Sequence, residues 1–263
     1  MTPMTELLTV EGLRKSFSAG GPPWKRRHVV ALDGVSLTVG HGRTLGLVGE
    51  SGSGKSTLGR CILGLTKPDD GAVVFDGVDV LSLSSRSLRS FRRRVQPVFQ
   101  DPYGSLDPRW PVGRSVRESL DSFRIGTPAS RSQRVLELFD RVGLSGTLVD
   151  RLPTNLSGGQ RQRVGIAAAL APQPELIIAD EPVSALDMSV QAQILNLLAD
   201  LQQDLGVASI FITHDLGVVE HVSDEVAVLF HGSIVETGET DQVMNRPSHD
   251  YTRTLLAAIP RPR

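Results

Sequence analysis

An apolar run, Thr44-Leu45-Gly46-Leu47-Val48, passes directly into Gly49-Glu50-Ser51-Gly52-Ser53-Gly54-Lys55-Ser56-Thr57 and then into Leu58-Gly59-Arg60-Cys61-Ile62-Leu63. A buried strand, a glycine-rich loop and a helix in that order form the context a phosphate-binding loop requires. Glycines permit backbone conformations that aim successive amides at phosphate oxygens, Lys55 reaches the outer phosphates, and Ser56 can ligate magnesium. A helix opening at Lys55 adds its positive end. The segment is expected to bind ATP or GTP.

The 263 residues suffice for a sizeable core, and we read them as one domain. Twenty-eight basic and 29 acidic residues leave a net charge of -1, so no overall field draws in nucleic acid or an acidic membrane surface. The first residues, with Glu6 and Glu11, lack the basic start and apolar stretch of a secretory signal, and no run approaches the roughly 18 apolar residues of a spanning helix. The chain therefore reads as cytosolic. A single cysteine, Cys61, excludes an internal disulfide framework and is expected to pack in the core.

Leu7 to Phe17 and His28 to Val39 read as antiparallel strands around the turn-rich Ser18–Pro23, and Val73-Val74-Phe75 before Asp76-Gly77 reads as a hairpin. Periodic apolar positions between Ser115 and Val142 predict a helical insertion. Strand and helix then alternate through Leu176–Ala179, Val190–Leu205, Ala208–Ile212 and Glu225–Phe230, which implies a mostly parallel sheet.

Leu156-Ser157-Gly158-Gly159-Gln160 precedes a helical segment running to Leu170, with Ser157 placed to cap it. This gives a second helix start that could face an anion. One nucleotide can use both starts if two chains pair head to tail around it. Asp180 emerges from the carboxyl end of the Leu176–Ala179 strand, where it can hold Mg2+, and Glu181 can orient or deprotonate an attacking water. Gln100, after Val98-Phe99, could touch magnesium or that water, and His214, after Ile210 to Thr213, could meet the terminal phosphate. The remaining histidines show no metal-ligand spacing.

Together and in this order, these residues resemble the ATP-binding subunit of an ABC transporter along nearly the whole chain. Gly49 to Ser56 is similar to the Walker A loop, Leu156 to Gln160 to the family signature, and Leu176 to Asp180 to the Walker B strand. Ser184-Ala185-Leu186-Asp187 is similar to the segment that meets the partner subunit. The resemblance implies an α/β fold: a P-loop NTPase core with a mostly parallel sheet, an N-terminal antiparallel β subdomain and a helical insertion. The core would span about 1–100 and 165–263, and the helical subdomain about 101–164. It also implies that Glu181 is the catalytic carboxylate, His214 the switch histidine, and Phe17 the aromatic that stacks on adenine. Gly49, Glu50, Ser51, Gly52, Ser53, Gly54, Lys55, Ser56 and Thr57 would line the nucleotide, joined by Gln100, Asp180, Ser157, Gly158, Gly159, Gln160 and Asp187. Ser56, Gln100 and Asp180 would hold the metal.

Val98-Phe99-Gln100-Asp101-Pro102-Tyr103-Gly104-Ser105-Leu106-Asp107-Pro108-Arg109 and His249-Asp250-Tyr251-Thr252-Arg253-Thr254-Leu255-Leu256 resemble the peptide and nickel importer branch. Asp107 stands where asparagine is usual, and Ala168 where arginine is frequent. Relatives often continue into a cysteine-bearing tail that can hold an iron–sulfur cluster; this sequence stops at Arg263, and no cluster is expected. The resemblance implies an ATPase energising an importer of di- or oligopeptides at the cytoplasmic face of the inner membrane. Its partners would be a second ATPase subunit, separate permease subunits docking between the Gln100 loop and the helical insertion, and indirectly an extracytoplasmic solute-binding protein, with no nucleic acid. Alternatives are import of nickel or another small solute, a soluble ABC ATPase acting on nucleic acid or the ribosome, and a small-molecule kinase. The basic clusters Lys25-Arg26-Arg27 and Arg89 with Arg92-Arg93-Arg94 lack interleaved aromatics and read as solvated or lipid-facing surface.

Overall fold

Uninterrupted apolar runs determine the centre of this fold. In a computed structural model, which describes residues 6–19, 27–101 and 104–257, strands β3 (Thr44–Val48), β7 (Leu176–Asp180), β8 (Ala208–Thr213) and β9 (Glu225–Phe230) are buried almost end to end. Strands covered on both faces read as continuous Val, Ile and Leu, unlike the alternation of a half-solvated sheet. The described residues form two compact units. One comprises those up to Leu88 together with those from Ala208 onward, and the other spans Arg89–Val207.

In the first unit, β1 (Glu6–Ala19) pairs antiparallel with β2 (Arg27–Gly40) on one side and with β4 (Asp70–Phe75) on the other. The expected hairpin at Asp76-Gly77 joins β4 to the short β5 (Val78–Asp79). A second layer places β3 between β8 and β9, parallel to both, with β10 (Ser233–Glu239) antiparallel at the edge of β9. Helix α1 (Lys55–Ile62) follows β3, and Cys61 on it is fully buried; burial pushes its thiol up to about 11, so it packs as a small apolar group.

The second unit begins within helix α2 (Ser85–Arg94). Its strands β6 (Val95–Val98) and β7 run parallel, with Val98 beside Ala179. The expected insertion consists of α3 (Val112–Phe123) and α4 (Pro128–Arg141), separated where Arg124 turns left-handed and Thr127 caps the next helix. Helices α5 (Gly158–Leu170) and α6 (Met188–Leu205) complete it. The α/β architecture with a parallel core, an antiparallel N-terminal layer and a helical insertion agrees with the sequence reading. One difference appears. Arg94 is no open surface group, since its guanidinium grips Glu175 with Nη2 2.6 Å from Oε2. Arg89 is exposed and donates to the Ser122 carbonyl. Lys25 and Arg26, Pro102 and Tyr103 lie outside the described residues, as does most of the Ser18–Pro23 turn.

Candidate functional site

In the first unit, the loop after β3 is built around a buried ammonium. Lys55 is 5% exposed, and its Nζ donates to the carbonyls of Gly49 at 2.7 Å and Glu50 at 2.8 Å, which draws the loop around it. Gly54 caps α1 with φ 113, and a Cβ there would lie 2.3 Å from the Ala31 carbonyl oxygen of β2; only glycine fits. Helix α1 has no side-chain cap and no acidic residue in its first turn, so no carboxylate of its own competes there for an incoming anion. Ser53 Oγ is buried without a hydrogen-bond partner among the described residues, while Ser56 is exposed at the mouth. A cation, a helix start and an orphaned hydroxyl in one loop fit an oxyanion.

The loop is also propped from behind. The Gly232 amide donates to the Ser53 carbonyl, and the Glu50 amide to Tyr251 Oη at 3.1 Å on helix α9 (Asp250–Ala257). Glu50 thus contributes through its backbone, and nothing in the sequence pattern of the loop announced Tyr251. His214, exposed, follows β8, and Asp215 next to it caps helix α7 (Leu216–Val222). Phe17 is 44% exposed on β1 with the Lys15 ammonium 5.5 Å from its ring centroid, so it is no core residue.

The second unit holds the other candidates. Asp180 ends β7, and Glu181 follows with φ 47, an uncommon conformation for a residue with a Cβ. Gln100 Nε2 donates to Glu181 Oε2 and to Ser184 Oγ, both at 3.1 Å, so the structure brings these residues together. Ser157 caps α5 in a reciprocal box: its Oγ accepts from the Gln160 amide at 3.2 Å, and Gln160 Oε1 accepts from the Ser157 amide at 2.9 Å. Asp187 caps α6, accepting from Ser189 Oγ at 2.7 Å and the Val190 amide at 3.0 Å, and these bonds lower its pKa. Beside it Met188 is 84% exposed.

Gly158 and Gly159 have a packing role. A Cβ on Gly159 would meet Val190 Cγ1 at 2.5 Å, so the first turn of α5 is pressed against the start of α6. Asp107, the departure from the usual asparagine, pairs with Arg109 at 2.8 Å, which holds its carboxyl down at about 2. A cavity of about 400 Å3 adjoins the end of β6, lined by Phe99, Trp110, Ser115, Ser119 and Gln162 among others. Ser115 Oγ, Ser119 Oγ and Gln162 Nε2 are buried with no hydrogen-bond partner among the described residues.

Among the described residues no group of three or more His, Cys, Asp and Glu could hold a metal ion. No helix among them is long and apolar enough to cross a membrane.

Residues 32–184 match the family model described as ABC transporter, and residues 235–263 match one described as oligopeptide/dipeptide transporter, C-terminal region. A peptide import ATP-binding protein of Brucella ovis is 49% identical over 98% of this chain and 80% of its own length. The oligopeptide transport ATP-binding protein OppF of Bacillus subtilis is 47% identical over 98% of this chain and 84% of its own. Among solved structures, the dimeric ATP-binding cassette MJ0796, in a post-hydrolysis state bound to ADP and Pi, superposes with a TM-score of 0.79 at 30% identity, covering 89% of this chain and 98% of that one.

Proposed function

This chain belongs to the ABC transporter family and is an ATPase; from that premise we propose that it powers an importer of di- and oligopeptides. In this reading it works as one of a pair of ATPase subunits, held at the cytoplasmic face of the membrane by separate permease subunits that receive peptide from an extracytoplasmic binding protein. The observation that carries the reading is the match of residues 235–263 to the oligopeptide/dipeptide transporter C-terminal region, in a chain with a complete set of phosphate-handling segments. The chain is read as one nucleotide-binding domain, with its core at about 1–100 and 165–263 and its helical subdomain at about 101–164.

Lys55 and the amides opening α1 take the phosphates, and exposed Phe17 offers a face to adenine. Ser56, Asp180 and the Gln100 amide oxygen are hard oxygen donors that would hold Mg2+, which when bound would neutralise charge on the phosphate oxygens. Glu181 orients water and accepts its proton, with its carboxylate directed by Gln100 and His214 acting at the terminal phosphate. Ser157 keeps its hydroxyl proton available, since its Oγ only accepts within the capping box, so the signature of one subunit can donate to the γ-phosphate held by another. ATP then favours the closed pair by differential binding, and hydrolysis releases it. Asp187 and exposed Met188 lie on the segment assigned to that pairing. The cavity beside β6, with its unpartnered polar atoms, is the surface assigned to the permease.

Reconstitution tests this. With its neighbouring permeases and binding protein in proteoliposomes, the chain should hydrolyse ATP several-fold faster when peptide is supplied, and peptide should accumulate. Hydrolysis indifferent to permease and peptide, with salt-sensitive retention on DNA, would replace transport by action on nucleic acid.

A further inference from the structure

We propose that Tyr251 is a positioning residue for the phosphate loop, so that the C-terminal segment sets nucleotide affinity from behind the site. The inference rests on the reading that Gly49–Thr57 binds ATP. Four observations within the first unit carry it. Tyr251 Oη accepts the Glu50 amide at 3.1 Å, across 201 residues of chain. The ring lies 4.0 Å from that of Phe230 at 34°, which fixes where the hydroxyl points. Tyr251, Leu255 and Leu256 pack against the cluster that contains Val48, the residue immediately before Gly49.

The fourth observation is the anchoring of α9 at its start. Glu236 on β10, 8% exposed, accepts from the Ser248 amide at 2.6 Å, the Ser248 hydroxyl at 2.9 Å and the His249 amide at 3.1 Å. His249 Nδ1 in turn accepts the Tyr251 amide at 3.1 Å. The hydroxyl is therefore held at both ends, by a carboxylate lock on the helix and by ring packing. Burial raises the Tyr251 pKa, so the phenol stays neutral at working pH. The loop's stem at Val48 and its Glu50 amide are both tied to α9.

A loop already held in shape loses less conformational freedom when it closes on phosphate, and such preorganisation appears as affinity. Removing a neutral hydrogen bond worth about 1 kcal/mol corresponds to about a fivefold change in an equilibrium constant.

The test uses the full chain as wild type, Tyr251→Phe and Tyr251→Ala. Tyr251→Phe keeps the ring on Phe230 and removes only the acceptor. It should weaken ATP binding, measured by calorimetry, about fivefold and raise KM with little change in kcat. The melting temperature without nucleotide should fall by no more than about 2–4 °C, the shift that about 1 kcal/mol produces in a chain of this size. Hydrogen exchange at the Glu50 amide should quicken while exchange along β9 does not. Should Tyr251→Ala fail to fold, Tyr251→Phe alone decides. Wild-type affinity in Tyr251→Phe, with wild type binding ATP normally, overturns the positioning role and leaves the nucleotide site intact. A wild-type chain that binds no ATP overturns the site itself, and with it this inference.

Discussion

Gly159→Ala separates two reasons for a glycine in the signature helix. The added Cβ would stand 2.5 Å from Val190 Cγ1, where carbon atoms prefer about 3.5–4.0 Å, so an overlap of over an ångström must be relieved. Val190 is β-branched and stiff, and it follows the Asp187 cap, so it cannot simply swing away. Overpacking of this kind costs about 1–3 kcal/mol, whereas replacing glycine by alanine in a helix returns about 0.5–1 kcal/mol. The clash wins, and Gly159→Ala should lose about 1–2 kcal/mol in urea denaturation. Val190→Ala removes the opposing methyls, so the double variant should recover most of that loss, giving a coupling of about 1–2 kcal/mol in a double-mutant cycle. Additive losses, or an unchanged Gly159→Ala, would refute the packing argument. ATPase activity then settles the other role. A double variant that is stable yet inactive means the alanine methyl blocks phosphate approach, while one that regains turnover means packing was the glycine's purpose.

Glu181→Gln should bind ATP with near wild-type affinity but lose on the order of 100-fold or more in turnover, accumulating a closed dimer on gel filtration; unchanged hydrolysis would remove Glu181 from the mechanism. For Glu236, burial opposes ionisation, yet the Ser248 and His249 amides and the Ser248 hydroxyl bring its pKa down to about 2. A depressed carboxylate stabilises the fold above its unfolded pKa of about 4.3, and that stability fades as pH falls toward 2. Glu236→Gln should thus cost about 1–3 kcal/mol at pH 7, with the gap to wild type narrowing in melts below about pH 4; a gap independent of pH would mean the carboxylate's charge is not what holds α9.

The central strands and the two glycine-flanked helix starts were legible because each is written locally, as an unbroken apolar run or as glycines at the head of a helix. The Thr44–Val48 run and the Ser157 cap needed no distant partner to be recognised. What escaped depends on contacts far apart in sequence or on unusual turns. Strand β10 pairs with β9 through His231 and Gly232, both at positive φ, a hairpin turn that usually announces itself as Asn-Gly. Helix α2 offers only Leu88 and Phe91 among its arginines, too little apolar signal for a period to show. Arg94 looked like surface charge because its partner Glu175 lies 81 residues away. Tyr251 was visible only as part of a family motif, since no local pattern tells a tyrosine in a helix that its hydroxyl will meet a loop amide.

The bond from Gln100 to Glu181 gives the second unit a physical route from its cavity to its carboxylate. A left-handed backbone at Glu181 costs about 1–2 kcal/mol, so its surroundings must hold it there. They do so through the Ser184 amide and hydroxyl, which donate to the Glu181 carbonyl at 3.3 and 3.2 Å, and through Gln100, which reaches both the carboxylate and the Ser184 hydroxyl. Gln100 is two residues beyond β6, and the parallel register of Val98 with Ala179 sets it opposite Glu181. Between β6 and Gln100 stands Phe99, 46% exposed, on the wall of the cavity. The wall of the cavity and the residue bonded to the Glu181 carboxylate are thus neighbours in the chain. Because a hydrogen bond weakens steeply with distance and angle, the 3.1 Å bond from Gln100 to Glu181 would be lost on a displacement of the Gln100 loop by about an ångström.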